Sequence, residues 1–161
     1  MKITRSAPLP AGVEDAFAVV STQEYQQAKV EAQTPRATAT VTDRAGSTVV
    51  RSERHLPTAG MPGPVVSMVG DTLSIIEQQT TGPARSDGSR HADLALTVTG
   101  VPLKLVGTIA LSPTASGSTL VIDADLSCSI PLFGKKIEEA ARPAIDDSID
   151  HEVSQLGARL T

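Results

Sequence analysis

Apolar and polar positions alternate along most of this chain, and the period of the alternation marks its elements. Residues 2 to 8 read as a first strand, ended by Pro8 and Pro10. Val13, Phe17 and Val20 then fall at i, i+4 and i+7, which predicts a short helix. Ser21 followed by Glu24 has the form of a capping box and predicts a second short helix reaching about Ala32. From about residue 36 to Pro131, runs rich in Thr, Val, Ile and Leu alternate with polar residues and are separated by turn chemistry, the pattern of an antiparallel meander. Strands are expected near 36 to 43, 47 to 56, 71 to 80, 89 to 99, 102 to 112 and 118 to 130. Leu103, Leu105, Ile109 and Leu111 share one face of their strand, and Leu120, Ile122, Ala124, Leu126, Cys128 and Ile130 share one face of the next. Asp123 and Asp125 are thereby directed to water. Gly107 interrupts the first of these two strands and is expected to mark a bend or bulge.

After Pro131 the period changes from two to 3.6. Ile137, Ala141, Ile145, Ile149, Val153, Leu156 and Leu160 follow one another by threes and fours, as in a long amphipathic helix. Residues 135 to 160 would span roughly 40 Å at ~1.5 Å per residue, about the reach of a thirteen-residue strand at ~3.4 Å. Pro143 lies inside the helical pattern and is expected to kink it. The pattern as a whole predicts an α+β fold. Seven strands form a curved antiparallel sheet around one long C-terminal helix, and two short helices follow the first strand.

Composition narrows the functional classes. A chain of 161 residues is expected to form one domain. A formal charge of -4, without a basic block or interleaved aromatics, argues against a nucleic-acid partner. Neither a signal-type apolar run nor an apolar stretch long enough to span a bilayer is present in the sequence, so a cytoplasmic protein without stable membrane insertion is expected. The lone Cys128 falls among apolar residues and reads as a small buried thiol. Phe17, Tyr25 and Phe133 are the only rings, and there is no Trp. A core without large rings is filled by aliphatic side chains or left partly open, which points to a cavity. Ala124 is the position whose enlargement to Phe is expected to fill it.

The order of elements resembles the START-related SRPBCC superfamily, whose helix-grip sheet wraps the last helix around a hydrophobic cavity. More narrowly, Gly100-Val101-Pro102-Leu103, Val106-Gly107, Leu111-Ser112-Pro113, Gly117-Ser118-Thr119-Leu120 and the stretch from Ile130 to Glu138 resemble an actinobacterial family of uncharacterised domains within that superfamily. The resemblance implies a fold and a pocket. It transfers no catalytic residue, because the superfamily includes carriers, receptors, cyclases and co-chaperones.

Several constellations have competing readings. Asp147 and His151 stand at i and i+4, as two metal ligands would, but helical geometry turns both away from the apolar stripe, and no third ligand accompanies them. Neither a metal nor a cofactor is expected. Gly134-Lys135-Lys136 at a helix start lacks the spacing of a phosphate loop. His55 and His91 lie on strands without a recognisable nucleophile motif. Glu77 shares a strand face with Leu73 and Ile75. If that face is inward, its carboxylate enters an apolar pocket and desolvation raises its pKa; otherwise its head reaches water. The segment from Pro57 to Gly70 is either a pocket lid or a loop packed on the end of the long helix.

These readings lead to one principal expectation: a small hydrophobic or amphipathic molecule, lipid-like or polycyclic, held between sheet and helix. Its binding residues would be Leu73, Ile75, Glu77, Leu94, Leu96, Leu105, Ile109, Ile122, Leu126, Ile145 and Ile149. The alternatives are a cyclase- or hydrolase-type enzyme using the same pocket, with Glu77 or a histidine carrying the proton, and a protein-binding module with a filled core.

Overall fold

Alternating residues from Ala37 to Cys128 form six consecutive antiparallel strands: β2 (Ala37–Arg44), β3 (Ser47–Pro57), β4 (Thr72–Thr81), β5 (Arg90–Val98), β6 (Val101–Thr114) and β7 (Gly117–Cys128). The N-terminal strand β1 (Lys2–Leu9) adds to the far side of β7, so the sheet order is β1-β7-β6-β5-β4-β3-β2. Helices α1 (Val13–Val20) and α2 (Gln23–Glu31) carry the chain from one edge of the sheet to the other. The computed structural model describes residues 1–161.

Local chemistry accounts for the joints. The hairpin between β2 and β3 turns through Ala45 and Gly46, both with positive φ (48° and 85°), the conformation that matches the twist of paired strands. The cap of α2 is Thr22, whose hydroxyl accepts from the Tyr25 N–H. The expected cap, Ser21, instead donates to the Phe17 carbonyl at the end of α1, so the N-cap falls one residue later and the reciprocal bond of a capping box is absent. Asp123 and Asp125 do face water, where both meet the Lys2 ammonium.

Gly107 does not mark a bulge. It pairs with Ala124 in unbroken β6–β7 register, and the irregularity falls instead at Thr97 and Val98. The glycine has a packing reason: a Cβ there would collide with the Asp123 carbonyl and with Ala124.

The last helix, α4 (Gly134–Arg159), continues through Pro143. Pro143 and Glu139 are exposed, so the carbonyl freed by the missing N–H can be hydrated, which lowers the cost of a proline at this site. Ile137, Ile149 and Leu156 are buried, while Ala141, Ile145 and Val153 are only half-buried. The apolar core is divided among clusters. One joins Ile149 to Ile3, Leu94, Leu105, Ile122 and Leu126; a second joins Leu156 to α1 and to Tyr25; a third joins Ile137 to Val65, Leu73, Val98 and Val101. The helix therefore meets the core at Ile137, Ile149 and Leu156, and the stretch around Ala141 and Ile145 borders a gap.

The segment expected as a loop contains a further helix, α3 (Gly63–Val69). Pro64 in its first turn and Gly70 at its C-cap, with φ 78°, bound it as helix start and stop signals do. Thr58 closes its base, donating its hydroxyl to the Gly70 carbonyl at 2.6 Å and its N–H to the Asp71 carbonyl at 3.0 Å.

Candidate functional site

The gap under α4 is a cavity of about 370 Å³, lined by 28 residues of which 20 are hydrophobic. Its volume lies in the ~300–1,000 Å³ range of small-molecule sites. Strand β4 contributes Leu73, Ile75, Glu77 and Gln79; β5 contributes Leu94, Leu96 and Val98. From β6 come Leu105 and Ile109, from β7 Ile122 and Leu126, and from α4 Ile145 and Ile149. All eleven residues singled out from the sequence thus lie on one cavity wall or another. They do so because residues of one parity share a face and register aligns them, Leu96 opposite Leu105 and Leu105 opposite Leu126. Ala124 is not among the lining residues. It is buried in the Gly107 contact, so its enlargement would strain the sheet rather than fill the void.

Gly60, Met61, Pro62 and Val65 also line the cavity, as do Ala140 and Ala144 of α4. Both readings of this segment, lid and packed loop, describe part of its position. It borders the cavity, and Met61 and Val65 also pack in the cluster containing Ile137.

One part of the wall is polar, and the sequence reading found only Glu77 there. Arg54 lies on the inward face of β3, opposite Ile75 and diagonal to Glu77. Its side chain is 5% exposed and its Nη2 donates to Glu77 Oε2 at 2.9 Å. Gln79 donates to Glu77 Oε1 at 2.8 Å, and Arg54 Nη1 donates to Gln33 Oε1 at 2.7 Å. Gln33 in turn donates to the Ser148 hydroxyl at 2.9 Å. One helical turn from Gln33 and Ser148 respectively, Lys29 pairs with Glu152 at 3.3 Å, the two side chains being 8% and 22% exposed. The spacing of Ile145, Ser148, Ile149 and Glu152 already places them on one helix face; the strand partner Arg54 required the β3–β4 register.

The expectation that an inward Glu77 has a raised pKa is wrong. Burial does push the carboxyl up, but Lys29, Arg54 and the hydrogen bonds from Gln79 and Arg54 outweigh it and hold Glu77 below its ordinary value. Burial likewise pulls Lys29 down, yet Glu152 and Glu77 raise it above its ordinary value. Both groups are charged at neutral pH, so Glu77 is no reservoir of protons for a general acid.

The histidines lie elsewhere. His55 is on the face of β3 opposite to Arg54, with Nδ1 2.9 Å from the Ser74 hydroxyl and Nε2 3.4 Å from Glu53. His91 Nε2 lies 3.2 Å from the Ser89 hydroxyl, which donates to Asp87. The structure therefore brings a serine to each histidine that sequence spacing did not reveal, but neither histidine lines the cavity. Asp147, His151, Lys135 and Lys136 are exposed, and Cys128 is half-buried.

Solved structures share this architecture. The chain is similar to TTHA0849 from Thermus thermophilus, with a TM-score of 0.62 at 13% identity over 99% of this chain and 97% of that one. It is also similar to a STAR-related lipid transfer protein from Xanthomonas axonopodis, with a TM-score of 0.62 at 14% identity over 99% and 85%. A third is the Zhui aromatase/cyclase from a Streptomyces species, with a TM-score of 0.58 at 14% identity over 99% and 91%. At these identities the likeness establishes the helix-grip fold alone. No curated protein matches the chain by sequence. Residues 4–158 match the family described as "Protein of unknown function (DUF2505)", and the chain belongs to that family.

Proposed function

We propose that residues 1–161 act as one START-like domain that binds a small hydrophobic or amphipathic molecule, lipid-like or polycyclic, in the cavity beneath α4. The single observation that carries this reading is the cavity itself: about 370 Å³, walled by aliphatic side chains and bordered by a coherent polar cluster. A packed core is the alternative that a protein-binding module would show, and close packing leaves few voids larger than a water molecule. Leu73, Ile75, Leu94, Leu96, Leu105, Ile109, Ile122, Leu126, Ile145 and Ile149 would supply apolar contact, and Glu77 would belong to the polar wall. A lipid transfer protein and an aromatase/cyclase among the structural neighbours support the use of this fold for hydrophobic molecules. We include in the proposal a cytoplasmic location and the narrower affinity with actinobacterial domains; no helix is long and apolar enough to cross a membrane.

The test is native mass spectrometry of protein purified from its own host, followed by thermal melting with fatty alcohols, isoprenoids and polycyclic aromatics. A small-molecule adduct released on denaturation, and a saturable rise in Tm with the recovered class, are the expected results. Absence of any adduct together with flat melting curves across the panel would remove the ligand-binding reading.

A further inference from the structure

We propose that the cavity selects a neutral amphipathic molecule bearing a hydroxyl or carbonyl group at one end, and that Arg54, Glu77, Gln33 and Ser148 receive that group while disfavouring carboxylates. The inference rests on the reading of the cavity as a ligand site and specifies its chemistry.

The polar wall is one continuous chain of hydrogen bonds, from Gln79 through Glu77, Arg54 and Gln33 to Ser148. Its hydrogen-bonding capacity is not exhausted. Nη1 and Nη2 of Arg54 each use one of their two N–H donors, on Gln33 and Glu77, and the side chain borders the cavity, so each keeps one donor for a ligand. The Ser148 hydroxyl accepts from Gln33, and its own hydrogen remains free to donate. The Glu77 oxygens each have one partner, while a carboxylate offers about four acceptor sites. A ligand hydroxyl can accept from the guanidinium and donate to a carboxylate; a carbonyl satisfies the donors alone. A pure hydrocarbon satisfies neither.

Charge decides against an acid. Lys29 and Arg54 are balanced by Glu77 and Glu152 in two close pairs. A ligand carboxylate would add an unmatched negative charge in a largely apolar enclosure, beside two carboxylates already present. Unlike a site with a free arginine, this one has no spare cation to offer.

The experiment uses two matched pairs on the full chain at about pH 8, where ligand carboxylates are ionised. One pair is 1-decanol and decanoate; the other is pyrenemethanol and pyrenecarboxylate. Affinity is read by calorimetry for the first and by fluorescence for the second. The alcohol of at least one pair should bind roughly tenfold or more tighter than its acid, as expected where a site is built to bond a neutral polar group. In Glu77→Gln, which leaves one positive charge unmatched, the preference should shrink or reverse as the acid gains affinity. Glu152→Gln, at the more exposed pair, serves the same purpose if the first variant does not fold by circular dichroism. An acid that binds as tightly as its alcohol in the parent protein, or a preference unmoved by removal of the carboxylate, overturns the selectivity and leaves the ligand site standing. Failure of all four compounds to bind overturns the selectivity, and only together with the absence of any host-derived adduct does it remove the ligand site as well.

Discussion

Tyr25 shows how a single side chain can be placed for its ring and not for its polar tip. The ring packs with Leu9, Val13, Leu120 and Leu156, and the residue is buried, yet its hydroxyl has no partner. Burial, with the nearby Glu152 carboxylate, drives the phenol well above its ordinary pKa, so it stays neutral. Removing an unsatisfied buried hydroxyl is neutral or favourable. Tyr25→Phe should therefore match the parent or gain about 1 kcal/mol, measured by urea unfolding; a loss of that size would mean that a water bonds the hydroxyl. Glu77 is the opposite case, because both its oxygens are engaged. Its pKa is depressed in the folded protein, so its stabilisation is complete above the ordinary carboxylate value of 4.5 and is lost as pH falls through the lower folded value. Glu77→Gln should cost about 2–3 kcal/mol at neutral pH, with the gap to the parent closing in acid. Urea midpoints for both proteins at about pH 7 and about pH 3 check the sign, and a gap that persists in acid would detach Glu77 from the ion pair.

At the scale of elements, α4 carries two duties that its period alone does not separate. Ile137 and Leu156 anchor its ends in packed clusters, while Ala141 and Ile145 between them border the cavity. Ile149 belongs to both settings: it lines the void and packs with Leu94, Leu105, Ile122 and Leu126. Ile149→Asp exchanges this contact for a carboxylate where the local charges are already paired. The expected loss is about 3–5 kcal/mol, a large share of the ~5–15 kcal/mol that holds a domain together. Unfolding or aggregation on thermal melting is the predicted outcome, and a Tm within a few degrees of the parent would place the helix outside the core. Helix α3 is the element that the sequence reading missed. Its seven residues, Gly63–Val69, are too few for a hydrophobic period to emerge, and the prolines and glycines around it read equally well as a loop.

The whole molecule combines an open, seven-stranded antiparallel sheet with an incompletely filled interior. If the void is functional, added volume should be tolerated there and ligand binding should disappear. Ala141 borders the void from α4, whereas Ala124 is pinned against Gly107. Ala141→Phe should cost at most ~1–3 kcal/mol while abolishing any ligand-induced rise in Tm, which in the parent should approach ~2.7 kcal/mol of added stability at a hundredfold excess over Kd. Melting curves of the two proteins with the same ligand decide it. A larger loss would mean that α4 cannot yield at this point, and a retained shift would locate the ligand elsewhere.

Much of this was determined by the sequence alone. Period two along β6 and β7 and period 3.6 after Pro131 identify the sheet, the helix and their inward faces, because burying one face of each is what makes either element stable. Of the eleven lining residues named from the sequence, the nine on β4 to β7 follow from strand parity, and Ile145 and Ile149 follow from the helical period. Tertiary structure decided the rest. The partnership of Arg54 with Glu77 depends on β3–β4 register, and the links of Gln33 to Ser148 and Lys29 to Glu152 depend on how α2 and the turn after it lie against α4. These contacts join residues far apart in the chain, so no local pattern encodes them. The direction of the Glu77 pKa shift was settled in the same way: parity put Glu77 on one face with Leu73 and Ile75, but only the assembled fold turns that face inward and supplies the cations that keep the carboxylate charged.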